Sequence, residues 1–169
     1  MDLFTTKGFG HTSLREIADR LGLTKAALYY HFPSKADLVR SLVEPFFDDV
    51  EEFLDKAEAA DAISPPQLLA SYVDMLYAYR DVFVMLLRDA SVLAHMDLEA
   101  RSLKWLDRLL QLLVGTDATP AQQVRATVAV GGASRAILML TENTIDELRG
   151  PAVEAACAAL GVPGPDTVE

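Results

Sequence analysis

Residues that start and stop helices recur along this chain, and the apolar residues between them follow a helical period. Ser13 and Glu16 have the spacing of a capping box, and Gly22 follows the apolar residues Leu14 and Ile17 as a helix stop. No segment shows the apolar–polar alternation of a half-buried strand bounded by turn residues. The sequence therefore predicts an all-α fold.

The same signals predict where the individual helices lie. We expect one helix to end near residue 7 and others to cover about 13–21, 25–31, 34–59, 67–89, 90–96, 98–114, 121–140 and 145–160. The pattern predicts a kink or break near Arg80-Asp81, a break near Gly150-Pro151 and a linker over residues 61–66. Leu21, Ala27 and Leu28 are expected to face inward.

Composition limits the class of protein further. The chain has 169 residues, of which 51% are hydrophobic and 24% charged, so it can bury a core. A single cysteine, Cys157, excludes an internal disulfide framework and a Cys-rich zinc site. No run of about 18 apolar residues is present, and the N-terminus lacks the basic and apolar regions of a secretory signal. We expect a cytoplasmic protein that needs no cofactor and no metal.

The net charge of −10 is unevenly distributed. Residues 1–42 carry six cations and four anions, a net charge of +2, which leaves −12 for residues 43–169. This split indicates that only the N-terminal segment meets a polyanion. A net charge of +2 over a short segment is equally compatible with chance.

Residues 12–32 have the organisation of a helix-turn-helix. Two short helices are joined by Gly22-Leu23, and the second is too short to be stable unless it docks on its neighbours. Its outward face would present Lys25, Ala26, Tyr29 and Tyr30. Such a face, held outward by a three-helix unit, is typical of DNA recognition.

The segment TSLREIADRLGLTKAALYYHFPSKADL, residues 12–38, resembles the DNA-binding region of the TetR family of transcriptional regulators. The resemblance covers about residues 4–42. It implies an all-helical homodimer with an N-terminal helix-turn-helix domain, residues 1–45, that binds double-stranded operator DNA. It also implies a helical-bundle domain, residues 46–169, that dimerises and binds a small molecule, so that a repressor is released from its operator.

The resemblance assigns roles to individual positions. Phosphate contacts are expected at Thr12, Thr24, Tyr29, His31 and Lys35. Base-edge or groove contacts are expected at Arg15, Lys25, Ala26 and Tyr30. Family members usually have a longer first helix preceded by a basic arm, so either the recorded start is late or the arm is trimmed. Taken alone, the Tyr29–His31 cluster could also be a packing cluster, and Lys25 a solvated lysine.

The acidic segment contains aromatic, methionine and scarce polar residues that could line an apolar effector cavity. The candidate residues are Tyr72, Met75, Tyr79, Phe83, His95, Trp105, Arg135, Met139 and Asn143. Taken one at a time, such residues are more often part of a core. Arg135 could instead pair with an acid at a subunit interface.

Gly131 and Gly132 lie inside a predicted helix, where they cost roughly 2 kcal/mol of helix propensity. Either another helix approaches them closely, consistent with a dimer through the last two helices, or they form a kink beside a cavity.

Besides a ligand-responsive regulator, two alternative functions remain. One is a dimeric ligand-binding protein with weak DNA binding, and the other is a small helical enzyme using His95 with Asp89 or Asp97.

Overall fold

The computed structural model describes residues 12–60, 63–88 and 98–164, and these ranges contain helices and no strand. The all-α prediction is therefore confirmed. The helices are α1 (Leu14–Leu21), α2 (Lys25–His31), α3 (Lys35–Ala59), α4 (Pro65–Ala78), α5 (Arg80–Arg88), α6 (Leu98–Val114), α7 (Pro120–Met139) and α8 (Ile145–Leu160). None of the described helices is long and apolar enough to cross a membrane. The helices predicted to end near residue 7 and to cover 90–96 lie outside the described residues.

Most helix starts are fixed by a side chain three residues further along. The backbone N–H of Ser13 donates to Glu16 Oε2 at 2.8 Å, and that of Ser34 donates to Asp37 Oδ2 at 3.1 Å. The same arrangement begins α4, α7 and α8, where the cap residues are Ser64, Thr119 and Thr144. Because the first N–H groups of a helix have no partner within it, these side chains set each helix boundary locally.

Two predicted boundaries need correction. The linker prediction extended to residue 66, but α4 already begins at Pro65, since prolines fit the first helical turn, where their missing N–H costs nothing. The predicted break near Pro151 is wrong, because α8 continues through it. Leu148 and Ala152, on either side of Pro151, are both buried, so packing offsets the roughly 3 kcal/mol that an internal proline costs. The predicted break near Arg80 is confirmed, with Tyr79 separating α4 from α5.

The chain divides into two compact units. Unit 1 comprises residues 1–48 and 81–101. Its described core contains Leu14, Ile17, Ala18, Leu28, Leu38, Val39, Val43, Phe46 and Phe47. The rings of Phe46 and Phe83 meet edge to face with centroids 4.5 Å apart. Leu21 and Ala27 do not join this core, since Leu21 is 62% exposed and Ala27 is exposed as well.

Unit 2 comprises residues 49–80 and 102–169. In it α8 packs against both α4 and α7, and α4 also packs against α7. The interior of these three helices contains Leu68, Leu69, Tyr72, Val73, Val130, Ile137, Val153 and Cys157. Ion pairs lie at the edges of unit 2. Arg149, for example, donates to both carboxylate oxygens of Asp74 at 2.7 and 3.0 Å.

Candidate nucleic-acid interface

The turn between α1 and α2 is fixed by Gly22. Its φ is +67°, a left-handed conformation that glycine adopts without the strain a Cβ would bring. The N–H groups of Gly22 and Leu23 donate to the carbonyls of Asp19 and Ala18, which closes α1. The chain thereby reverses within a few residues, and α2 packs on α1.

Helix α2 begins and ends as the sequence predicts. Thr24 Oγ1 accepts the N–H of Ala27 at 3.1 Å, and the N–H of Phe32 donates to the carbonyl of Leu28. Leu28 is the residue of α2 that is buried, at 3% exposure. At 100° per residue, Ala26 and Tyr30 project from the opposite side of the helix. The single buried leucine thus sets which side chains face solvent.

The exposed side of α1 and α2 combines cations with aromatic rings. Lys25 Nζ lies 5.3 Å from the ring centroid of Tyr29, within the range of a cation–π interaction. The rings of Tyr30 and His31 meet edge to face at 5.2 Å. Arg15 is exposed, and its Nε lies 3.9 Å from Asp19. This surface supplies positive charge, hydroxyl groups and flat rings, which suit phosphate and groove contacts.

The remaining predicted contact residues fall at the margin of this surface or away from it. Thr24 is exposed at the start of α2, and Lys35 is half-buried at the start of α3. Thr12 is only 2% exposed. A side chain with so little accessible surface packs within unit 1, so we leave Thr12 out of the interface proposed below.

The sequence of this segment matches a known family. Residues 1–42 match the family model described as bacterial regulatory proteins, tetR family. The N-terminal region of the chain thus matches the TetR family. The resemblance drawn from residues 12–38 is thereby confirmed.

Curated proteins that are similar to this chain match it over short stretches. It is 32% identical over 62 residues to the HTH-type transcriptional regulator TtgR of Pseudomonas putida, covering 37% of this chain and 30% of TtgR. It is 40% identical over 48 residues to the HTH-type transcriptional repressor KstR2 of Rhodococcus jostii, covering 28% of this chain and 24% of KstR2. Identity to the biofilm operon negative regulator IcaR of Staphylococcus epidermidis is 38% over 52 residues, 31% of this chain and 28% of IcaR. The chain thus spans less than a third of each relative.

Tyr72, predicted to line an effector cavity, is buried in unit 2. Its hydroxyl lies 2.7 Å from Ser134 Oγ, and Ser134 Oγ donates to the carbonyl of Val130 at 2.7 Å. Because a serine hydroxyl has one proton, Tyr72 is the donor of the pair. Burial raises the pKa of Tyr72 to about 12. The ring centroid of Trp105 lies 6.0 Å away, so these two candidates are neighbours.

The other candidates are dispersed. Arg135 and Met139 are exposed on α7, and Phe83 belongs to unit 1. Tyr79 donates to Asp49, and the carbonyl of Asn143 accepts from Arg80 at 2.8 Å. Met75 is half-buried in α4. His95 lies outside the described residues, as do Asp89 and Asp97. Periodicity placed most of these residues on helices without indicating which face each helix buries.

Unit 2 has two cavities that sequence reasoning did not indicate. One of about 590 Å³ is lined by Ser64, Pro65, Pro66, Gln67, Ala70, Arg149, Val162, Pro163 and Gly164. A second of about 320 Å³ is lined by Asp107, Leu110, Gln111, Val114, Gly115, Thr116, Ala118, Gln123 and Thr127. None of the eight predicted effector residues that the structure describes lines either cavity. Within the described ranges, no group of three His, Cys, Asp or Glu side chains is placed to hold a metal ion.

Helix α7 presents a second notable face. Val124, Val128, Gly131 and Arg135 follow the spacing of one helix face, and Val124 and Val128 are 62% and 57% exposed. Ala126, Ala133 and Ile137 cover the opposite, buried face. In the described part of the chain, a Cβ built on Gly131 or Gly132 would have no neighbour within 4 Å. The close helix approach suggested by these glycines is therefore not made by the described residues.

Proposed function

We propose that the chain is a DNA-binding transcriptional regulator that represses its target. The observation that carries this proposal is α2. Its only buried residue is Leu28, while Lys25, Tyr29, Tyr30 and His31 are exposed together within a TetR-family segment. Three relatives are named as transcriptional regulators or repressors. The role requires no catalytic activity, and binding to genomic DNA implies a cytoplasmic location.

In this proposal the exposed residues divide by role. Phosphate contacts are made by Thr24, Tyr29, His31 and Lys35. These contacts fix the position of the DNA-binding domain on the duplex. Arg15, Lys25, Ala26 and Tyr30 face the base edges in the major groove. Residues 1–45 form the DNA-binding domain, and residues 46–169 form the effector-binding and dimerisation domain.

Binding to duplex DNA from the region flanking the gene tests this proposal. Fluorescence anisotropy at several salt concentrations should show operator-specific binding that weakens steeply as salt rises, because phosphate contacts release counterions. Lys25→Ala should weaken it. Lys104→Ala, which removes the same charge from an exposed position of α6, should bind like the parent protein. An equal loss of operator affinity in both lysine variants would contradict the proposal. So would the absence of operator-specific binding by the parent protein.

We further propose that two copies pair through α7 and α8. The exposed valines of α7 and the open space above Gly131 and Gly132 support this pairing. On α8, Gly150, Pro151, Ala155 and Ala158 are exposed small or apolar residues. Small residues on both helices would let the helices of a second copy approach closely. Arg135 would then lie at the subunit interface.

We also propose that a small, mostly apolar effector binds in the second domain and lowers operator affinity. The buried ring of Tyr72 and the half-buried ring of Trp105 support an apolar site there, since such rings supply large contact areas. Coupling of ~1–3 kcal/mol would weaken DNA binding roughly 5–150-fold, and operator DNA would weaken effector binding by the same factor. Titrating an effector with and without operator tests this. Equal affinities in both titrations would show that the site is not regulatory.

A further inference from the structure

The outermost residues of α2 are apolar. Leu28 anchors the helix, and Ala26 and Tyr30, four residues apart, lie on the opposite side. Tyr30 is 84% exposed, the highest value among the exposed large hydrophobic side chains of the described residues. A ring left this open to water on a seven-residue helix is not needed for packing.

Most base-reading side chains that use two hydrogen bonds are absent from α2. Arginine or lysine reads guanine in this way, and asparagine or glutamine reads adenine. The sequence of α2 is KAALYYH, which contains one lysine, none of the other three residues and no acid to accept from cytosine. Lys25 lies over the Tyr29 ring at the side of the helix. The part of α2 that projects furthest therefore offers a methyl group and an aromatic ring.

Thymine is the base that matches this chemistry. Its 5-methyl group projects into the major groove and is read by apolar contact with alanine or aromatic side chains. The cations Arg15 and Lys25 lie beside this surface and raise its attraction for the polyanionic duplex. We infer that α2 reads thymine 5-methyl groups in its operator, and that these methyl groups contact the methyl of Ala26 and the ring of Tyr30. This inference rests on the DNA binding proposed above.

Replacing single thymines by deoxyuridine tests the inference without altering the protein. An operator is first selected from a random duplex pool with the full chain. Each thymine is then replaced in turn, which removes one methyl group and keeps every hydrogen-bonding atom. We expect one or two positions per half-site at which affinity falls about fourfold, the effect of exposing one buried carbon group.

Two variants show which side chain contacts each thymine methyl group. Tyr30→Ala and Ala26→Gly should each bring the thymine-to-uracil affinity ratio close to one at a single position. Glycine also weakens a short helix, so the absolute affinity of Ala26→Gly falls for a second reason. The thymine-to-uracil affinity ratio is free of this effect and reports the contact itself. Lys35→Ala is the control. As a proposed phosphate contact, it should lower both affinities and leave the ratio unchanged.

The outcomes separate this inference from the proposed function. Absence of any sequence-specific binding would overturn the proposed function. Specific binding with a ratio of one at every thymine would overturn the inference and leave the proposed function standing. A ratio above one that neither variant changes would assign the methyl groups to other side chains and overturn the roles of Ala26 and Tyr30.

Discussion

The hydroxyl of Tyr72 donates to Ser134 Oγ across 2.7 Å and so joins α4 to α7 in the interior of unit 2. Ser134 in turn donates a hydrogen bond to the carbonyl of Val130, one turn earlier in α7. Burial of the Tyr72 hydroxyl stabilises the neutral form of the side chain. This relationship has a measurable consequence at high pH.

Stability should depend on Tyr72 above pH 10. The pKa of Tyr72 is about 12 in the folded chain and 10.0 as an ordinary value. Between pH 10 and pH 12 the tyrosine of the unfolded chain loses its proton while that of the folded chain keeps it. The stabilisation from neutral, buried Tyr72 is therefore present below pH 10 and is lost as pH rises through 12. The loss reaches roughly 3 kcal/mol. Urea unfolding from pH 8 to 12 should show a steeper decline for the parent protein than for Tyr72→Phe.

At neutral pH the same variant has a smaller effect. Tyr72→Phe should lower the free energy of unfolding by about 1 kcal/mol, because one internal hydrogen bond is lost while Ser134 keeps its bond to Val130. Parallel pH profiles for the parent and Tyr72→Phe would show that Tyr72 does not retain its proton in the folded state.

Gly22 should be intolerant of a side chain. Gly22→Ala places a Cβ on a residue with φ of +67°, which costs roughly 1–2 kcal/mol. Gly22→Asn is the matched variant, because asparagine tolerates the left-handed region and should recover much of the loss. Thermal unfolding followed by circular dichroism compares the two. Equal destabilisation would point to a cause other than backbone conformation.

The pairing surface on α7 predicts a change of oligomeric state. Val128→Asp should shift a dimer toward monomer in sedimentation at micromolar concentration, because a carboxylate would be buried at the proposed interface. Leu103→Asp is the control, since Leu103 is 62% exposed on α6, close to the 57% of Val128. A parent protein that sediments as a monomer, or a Val128→Asp variant that remains a dimer, would contradict pairing through α7.

Arg108 should contribute to stability at neutral pH and not in acid. It donates to Asp55 at 2.7 Å and to both oxygens of Glu58 at 2.8 Å. The hydrogen bond from Arg108 lowers the pKa of Glu58 below its ordinary 4.5. The stabilisation from the ion pair of Arg108 with Glu58 is therefore present above pH 4.5. It is lost as pH falls through the lowered pKa of Glu58.

The magnitude is modest because Asp55 and Glu58 are well exposed. Arg108→Met should cost at most about 1 kcal/mol at pH 7 by urea unfolding, and the difference from the parent should shrink at pH 3. Arg108→Lys keeps the charge and should recover only part of the loss, since lysine cannot reproduce the two-pronged geometry. A difference that persists at pH 3 would indicate lost packing.

The proposed DNA contacts should divide into two kinds by their mutational effect. Lys25→Ala and Arg15→Ala should change which operator is preferred, because base-edge contacts discriminate by roughly 1–3 kcal/mol. Lys35→Ala should weaken binding to operator and to random DNA alike. It should also reduce the slope of log affinity against log salt concentration by about one. Binding to a panel of mutated operators measures both. An identical pattern for all three variants would contradict the division of roles.

Local signals account for what could be predicted from sequence. Ser13 with Glu16, Thr24 and Gly22 specify the helix-turn-helix within a few residues, because caps and positive-φ turns depend on near neighbours. The effector residues could not be placed in this way. Arg135 and Tyr72 both follow helical spacing, yet one is exposed and the other buried, because packing of distant helices decides which face is covered. Pro151 is a similar case, in which tertiary packing outweighs a local break signal.

The reciprocal cap at the start of α3 also bears on how such chains diversify. Ser34 and Asp37 hold each other's backbone N–H groups, so the first turn of α3 is specified without any residue before Ser34. A recombination event that ends at Pro33 would exchange α1 and α2 and leave the start of the following helix unchanged. The junction at Pro33-Ser34 is thus a natural crossover point between the helices proposed to bind DNA and the rest of the chain.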